Sequence, residues 1–229
     1  MKYEVTLIIT ACDRNDLLKR TLESFVKFNT YPIKKLIIRD DSGLQDVYEE
    51  MAVMLCNINL PFPFEIMPVG QFGQAKSIEL LMSEVTTPYV FHCEDDWEFF
   101  DYGFIEKSLE ILKNKKNILQ VWIRPVSDIS LVKYGKLRTI KDIDYRIVVR
   151  DKDTSGFTCN PHLKRKADFV PYSVFLSEIP DGLTEHKIGD YYYKLGFKSA
   201  WLIEGYCHHI GDEKSTYRPS SYRQGARKL

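Results

Sequence analysis

Two rhythms of apolar residues alternate along this chain. Residues 3–10 are a nearly unbroken run of aliphatic and β-branched side chains, the mark of a buried strand. After a polar turn, Leu17, Leu18, Leu22, Phe25 and Val26 recur at three- and four-residue spacing, which predicts a helix capped by Asp13 or Asn15. Asn29 to Pro32 ends that helix. The cycle then repeats, with strands over residues 34–39, 64–67 and 89–92 and helices over 44–56 and 74–85. Strand, helix, strand in this order predicts an α/β domain, a mostly parallel central sheet with right-handed crossovers and helices on its faces.

The second half is less regular. An amphipathic helix is predicted over residues 104–115 and another over 184–195, the latter capped by Thr184 or Asp181. Strands are expected at 118–123, 145–149 and 198–203, with a short β-like piece at 156–159. Residues 127–136 carry no readable period.

The stretch from Pro88 to Asp101, PYVFHCEDDWEFFD, changes the picture from fold to chemistry. An apolar strand ends in Glu94, Asp95 and Asp96, three carboxylates that repel one another and are costly to desolvate together. A divalent cation relieves both penalties, and hard carboxylate oxygens suit Mg²⁺ or Mn²⁺ sharing its shell with substrate phosphates. Trp97, Phe99, Phe100 and Tyr102 follow, to wall a pocket or to pack the next helix. Two other polar turns, at residues 12–15 and 40–43, stand at predicted strand ends. In parallel sheets, ligands bind beyond the carboxyl ends of the strands, so three polar clusters on one rim mark a site more strongly than any one alone.

Composition narrows the function. The 229 residues fit one domain, and a formal net charge of zero argues against a broad nucleic-acid footprint, though Arg218, Arg223, Arg227 and Lys228 make the tail locally basic. Five scattered cysteines without a CxxC pair fit a reducing compartment. The first residues lack the apolar run of a signal peptide, and no run approaches a membrane span. A cytoplasmic protein is expected, with peripheral membrane contact left open by the basic tail.

The ordered set of motifs resembles family 2 of the glycosyltransferases, with the GT-A fold. The resemblance rests on Val5–Arg14 with Leu17-Leu18, on IIRDDSG at 37–43, and on Gly73, Ala75, Lys76 and Ser77 at a helix start. Glu94–Trp97, Gly156–Pro161, Glu185–Tyr191 and His209–Gly211 resemble one subgroup's EDDW, GFxxNP, ExxxGxY and HxG. Lys76 and Ser77 replace a more usual Arg-Asn, and Cys12 is unusual in the first turn. The resemblance implies transfer of a sugar, with inversion, from a nucleotide-diphosphate-sugar donor to a glycan or glycoconjugate acceptor. It implies Mn²⁺ or Mg²⁺ on Asp96, helped by Glu94 and by a late histidine, His209, with His208 beside it. It assigns the donor to Thr10, Ala11, Arg14, Asp40, Asp41, Lys76 and Asp95, with Lys214 and Arg218 on a lid. Glu185 is the expected base, with Asp190 the alternative; a helix N-terminus is expected to keep Glu185 ionised. On the same resemblance, residues 1–100 form the nucleotide-sugar half, 101–204 the acceptor half and 205–229 the tail. Two other readings compete. A nucleotidyltransferase needs a glycine-rich loop that the turn TACDRND lacks, and a catalytically silent nucleotide-sugar-binding module need not keep every acidic residue.

Overall fold

The computed structural model describes residues 3–128, 132–151, 155–175 and 184–211. In chain order the elements are β1 (Val5–Ala11), α1 (Asn15–Phe28), β2 (Ile33–Asp40), α2 (Gln45–Asn57), β3 (Phe64–Ile66), α3 (Gln74–Glu84), β4 (Tyr89–Glu94) and β5 (Trp97–Phe99). They continue as α4 (Phe104–Asn114), β6 (Ile118–Trp122), β7 (Arg138–Ile140), β8 (Ile143–Ile147), β9 (His162–Arg165), α5 (Thr184–Lys194), β10 (Lys198–Leu202) and β11 (Cys207–His209).

Among the described residues, nine strands form one sheet in the order β3-β2-β1-β4-β9-β6-β10-β8-β7, and β5 pairs with β11 in a second, two-stranded sheet. The pairings β3–β2–β1–β4 and β6–β10 are parallel, while β9 and β8 run against their neighbours. Most strands therefore point the same way, as the alternation along the sequence predicts. Period-two alternation sorts each strand between two layers. Val5, Leu7 and Ile9 of β1 and Phe91 of β4 join Leu22, Phe25, Met51, Phe104 and Leu109 of α1, α2 and α4. Ile8 and Val90 face the other way, toward Ile78, Leu81 and Met82 of α3 and Ile188 and Tyr192 of α5. The aromatics after the acidic triplet divide: Trp97 and Phe99 are buried, and Phe100 and Tyr102 are exposed.

The local expectations fail in two instructive places. Residues 156–159 are not a strand; the strand is β9, HLKR, just beyond Asn160-Pro161, and it wedges antiparallel between β4 and β6. Its Lys164 is almost fully buried, so no apolar alternation announces it. Its Arg165 donates to the carbonyl of Leu112 at 2.7 Å, in the last turn of α4, and to that of Lys116 at 2.9 Å, just beyond the helix. Neither Asp13 nor Asn15 caps α1: Arg14 is the cap residue, without a side-chain cap bond, and Asn15 donates to Val47 O at 3.1 Å. Of the two cap candidates for α5, Asp181 lies outside the described residues.

Candidate active site

Three strands end in step at one rim of the sheet. Thr10 stands beside Arg39 on one side and Glu94 on the other, and Ala11 stands beside Asp40. The turn after β1 is drawn across this rim by carboxylates from its neighbours. The Cys12 N–H donates to Asp95 Oδ2 at 3.1 Å, and the Asp13 N–H to Asp40 Oδ2 at 2.9 Å. Asp13 adopts φ 54°, a left-handed conformation that aspartate tolerates better than most residues. Asp40 also accepts the Ser42 N–H at 2.8 Å. Asp41 takes the amides of Phe72 (2.7 Å) and Gly73 (2.8 Å) and the Ser77 hydroxyl (2.8 Å), which fastens the loop before α3 to the end of β2.

The acidic triplet is not left to repel itself. Arg14 spans Asp95 and Asp96: its Nε donates to Asp95 Oδ2 at 3.1 Å, its Nη2 pairs with Asp95 Oδ1, and its Nη1 lies 2.8 Å from Asp96 Oδ2. Burial opposes the charge on Arg14, and the two aspartates outweigh it and raise its pKa. Burial pushes Asp95 up to about 7, against the pull of Arg14. Burial also works to raise Asp96, but His209 and Arg14 overcome it and hold that carboxyl below the ordinary range. Glu94 accepts from Gln74 Nε2 at 2.6 Å and from Trp97 Nε1 at 3.3 Å. Burial, with Asp96 and Glu185 nearby, pushes it up to about 8. Thr21, on α1, braces the turn from behind: its hydroxyl donates to Asp95 O at 2.8 Å and accepts the Trp97 N–H at 3.0 Å.

Strand pairing decides which late histidine reaches the site. β11 lies antiparallel on β5, with His209 opposite Trp97 and His208 opposite Glu98. Alternation turns His209 inward, its Nε2 3.0 Å from Asp96 Oδ2, and sends His208 outward, 3.2 Å from Glu98 and stacked on Phe100. Gly211 packs against the same carboxylate, where a Cβ would stand 2.3 Å from Asp96 Oδ2. A carboxylate oxygen and an imidazole nitrogen about 3 Å apart suit adjacent ligands of one divalent cation with bonds near 2.1 Å. Among the described residues no group of three or more His, Cys, Asp or Glu side chains is placed to hold a metal ion, so such a cation would complete its shell from phosphate and water.

Glu185 opens α5, and its Oε1 accepts the Cys159 N–H at 2.5 Å and the Thr158 hydroxyl at 3.2 Å. Its pKa is raised: burial is the largest effect and outweighs the Cys159 and Thr158 donors. Glu94 feels its charge, which places the two carboxylates in one environment. The other expected residues sit apart. Asp190 is paired with Arg150 at the surface, and Lys76 lies 2.8 Å from Glu79. Lys214 and Arg218, and the lid they were expected to form, lie outside the described residues. Two hollows are also remote from the acidic cluster: about 600 Å³ between α1 and α2, lined by Lys19, Glu23, Val53 and Met54, and about 210 Å³ behind α5.

The model for glycosyl transferase family 2 matches residues 6–168, from β1 to just past β9. The chain belongs to glycosyl transferase family 2. The family match ends before α5 and β11, so Glu185 and His209 stand outside it. Two solved structures share the GT-A architecture of this family 2 domain. One is the mannosyltransferase PcManGT from Pyrobaculum calidifontis in complex with GDP-Man and Mn²⁺ (TM-score 0.63, 11% identity, 95% of this chain and 59% of that chain). The other is GalNAc-T7 with UDP, GalNAc and Mn²⁺ (TM-score 0.65, 11% identity, 94% of this chain and 44% of that chain). The chain spans less than two thirds of the length of either, and at such identity the likeness is one of fold. No curated protein matches the sequence. No helix among the described residues is long and apolar enough to cross a membrane.

Proposed function

We propose that this family 2 domain is an inverting glycosyltransferase that moves a sugar from a nucleoside diphosphate donor to a hydroxyl of a glycan or glycoconjugate. The observation that carries the reading is the convergence of Arg14, Asp95, Asp96 and His209 at the strand ends, with the half-buried Glu185 within electrostatic reach of Glu94. Both solved neighbours hold nucleotides or nucleotide-sugars together with Mn²⁺, which supports the same donor class here.

In this reading the nucleoside lies along the turn after β1, against Thr10, Ala11, Asp40 and Asp41. Lys76 joins it from α3, and Lys214 and Arg218 close over the diphosphate. Asp95 positions Arg14 and the donor sugar. Mn²⁺ or Mg²⁺ held by Asp96 and His209, with Glu94 in support, would neutralise the departing diphosphate. Glu185 accepts the acceptor's proton as its oxygen attacks the anomeric carbon; the bond to the phosphate oxygen breaks and nucleoside diphosphate leaves. Burial supports that role, because a carboxylate with a raised pKa is a stronger base. Asp190, already committed to Arg150, is the weaker candidate. Residues 1–100 serve the donor, residues 101–204 the acceptor and the tail from 205 the closure. The described cysteines are all free thiols, which supports a cytoplasmic setting.

A thermal-shift panel of UDP-, GDP-, dTDP- and CMP-sugars with and without Mn²⁺ tests this. One nucleotide raising Tm only with Mn²⁺ is the expected result, since a ligand of the native state stabilises it in proportion to RT ln(1 + [L]/Kd). Equal responses with and without the cation would remove the metal from the proposal. No response to any donor, with or without acceptor present, would remove the transferase reading.

A further inference from the structure

The segment 155–161 has no regular structure, yet Ser155, Phe157, Thr158 and Cys159 are all buried. It is fixed from three directions. Gln120 Nε2 of β6 donates to Thr158 O at 3.2 Å, and the Ser199 hydroxyl of β10 donates to Gly156 O. From α5, Glu185 receives the Cys159 amide and the Thr158 hydroxyl. One turn further along, Gly189 lies against Ser155. A Cβ there would stand 2.5 Å from Ser155 Cβ and 2.7 Å from both its carbonyl oxygen and its hydroxyl. Beyond it, the Tyr192 ring lies parallel to Phe157, 9° apart at 6.3 Å.

Positions 185 and 189 are four apart, so they share a helix face. Glycine is a poor helix former, and inside α5 it needs a reason that alanine would not meet. The reason here is contact: only a residue without a side chain lets α5 lie this close to the segment that grips Glu185.

We infer that Gly189 is a positioning residue. Its missing side chain sets the depth of α5 against Ser155, and thereby the place where Thr158 and Cys159 hold the Glu185 carboxylate. The inference rests on the reading of Glu185 as base, and it joins the two motifs at 156–161 and 185–191 into one device. Displacing a reacting group by about 1 Å can cost on the order of a hundredfold in rate. A Cβ at 189 must move the segment or the helix by several tenths of that.

The test compares Gly189→Ala with the double variant Gly189→Ala/Ser155→Gly, which removes the Cβ and hydroxyl nearest the new methyl. Exchange of the Cys159 amide is followed by NMR, and kcat and donor KM by a transfer assay. In Gly189→Ala, Cys159 exchange should rise at least tenfold and kcat should fall at least tenfold, with donor KM within about threefold. The double variant should recover part of both, the Ser155 carbonyl still being close. Unchanged Cys159 exchange in folded Gly189→Ala overturns the inference whatever the activity. Faster exchange with unchanged kcat also overturns it. If Glu185→Gln retains turnover, the base reading fails, and the exchange result still decides whether Gly189 sets the packing. Should Gly189→Ala not fold, Ser155→Thr adds one methyl at the same contact and is expected to show both effects at lower amplitude; no change in either refutes it.

Discussion

Lys164 offers a test of the electrostatics that is independent of any catalytic reading. It sits in the middle of β9, 3% exposed, with Val90 on one neighbouring strand and Gln120 on the other. Among the described residues, the aromatic ring in cation–π range of its amine is that of Phe169, at 5.7 Å. Burial lowers its pKa from 10.5 to about 8. A base whose folded pKa lies below its unfolded one binds fewer protons when folded, so stability rises with pH between the two values. Below about 8 the amine is charged in both states and the full penalty stands. A difference of roughly 2.5 units corresponds to about 3 kcal/mol of instability at pH 7, falling to about 2 kcal/mol at pH 9. Lys164→Met keeps the length and removes the charge, so it should stabilise by up to about 3 kcal/mol at pH 7, less whatever the ammonium gains from its surroundings. Urea denaturation of both proteins at pH 7 and pH 9 measures this, with the gain expected to shrink by about 1 kcal/mol at the higher pH. A variant less stable than the parent at pH 7, or a gain that does not shrink at pH 9, would refute the reasoning.

Other outcomes follow from the same geometry. Glu185→Gln should preserve donor binding and lower kcat by at least a hundredfold; in the parent, kcat should fall as pH drops through a pKa above the ordinary glutamate value of about 4.3. An acidic limb at or below that value would contradict the burial that raises Glu185. Asp96→Asn should abolish any Mn²⁺-dependent rise in Tm with donor, and a retained rise would remove Asp96 from the cation site. Thr21→Val leaves the Asp95 carbonyl and Trp97 amide without their buried partner, at a cost of about 1–3 kcal/mol in urea denaturation; a loss under about 0.5 kcal/mol would show that water replaces it. Gly156 has φ 76° with open space around it, so Gly156→Ala should cost about 1–2 kcal/mol through backbone conformation alone. No measurable loss would mean that the turn relaxes.

Much of the chain up to about residue 100 is legible without coordinates. From β1 to β4 each strand and helix carries its own apolar period, and that period and breakers such as Pro32, Pro61 and Pro63 announce them. The acidic triplet is visible because three adjacent carboxylates after an apolar strand have few structural uses. Its inner order is not visible. Asp95 and Asp96 are neighbours with the same side chain, and burial, the Cys12 amide and Arg14 from across the rim, and His209 from far along the chain, make them different.

The second half shows where local pattern stops. HLKR reads as a polar loop because its buried lysine and its carbonyl-binding arginine take their meaning from β4, β6 and α4, none adjacent in sequence. His208 and His209 are indistinguishable until β11 pairs with β5 and alternation sends one to each face. Glu185 looks like a first-turn glutamate whose helix keeps it ionised, yet the packing of segment 155–161 buries it and raises its pKa instead. The sequence by itself determined the family, the α/β sheet and the rim where chemistry gathers, since these rest on periodicity and on short runs of like residues. Only the tertiary structure decided which carboxylates are paired, which histidine turns inward and how closely α5 seats Glu185, because each depends on charges and contacts that chain distance hides.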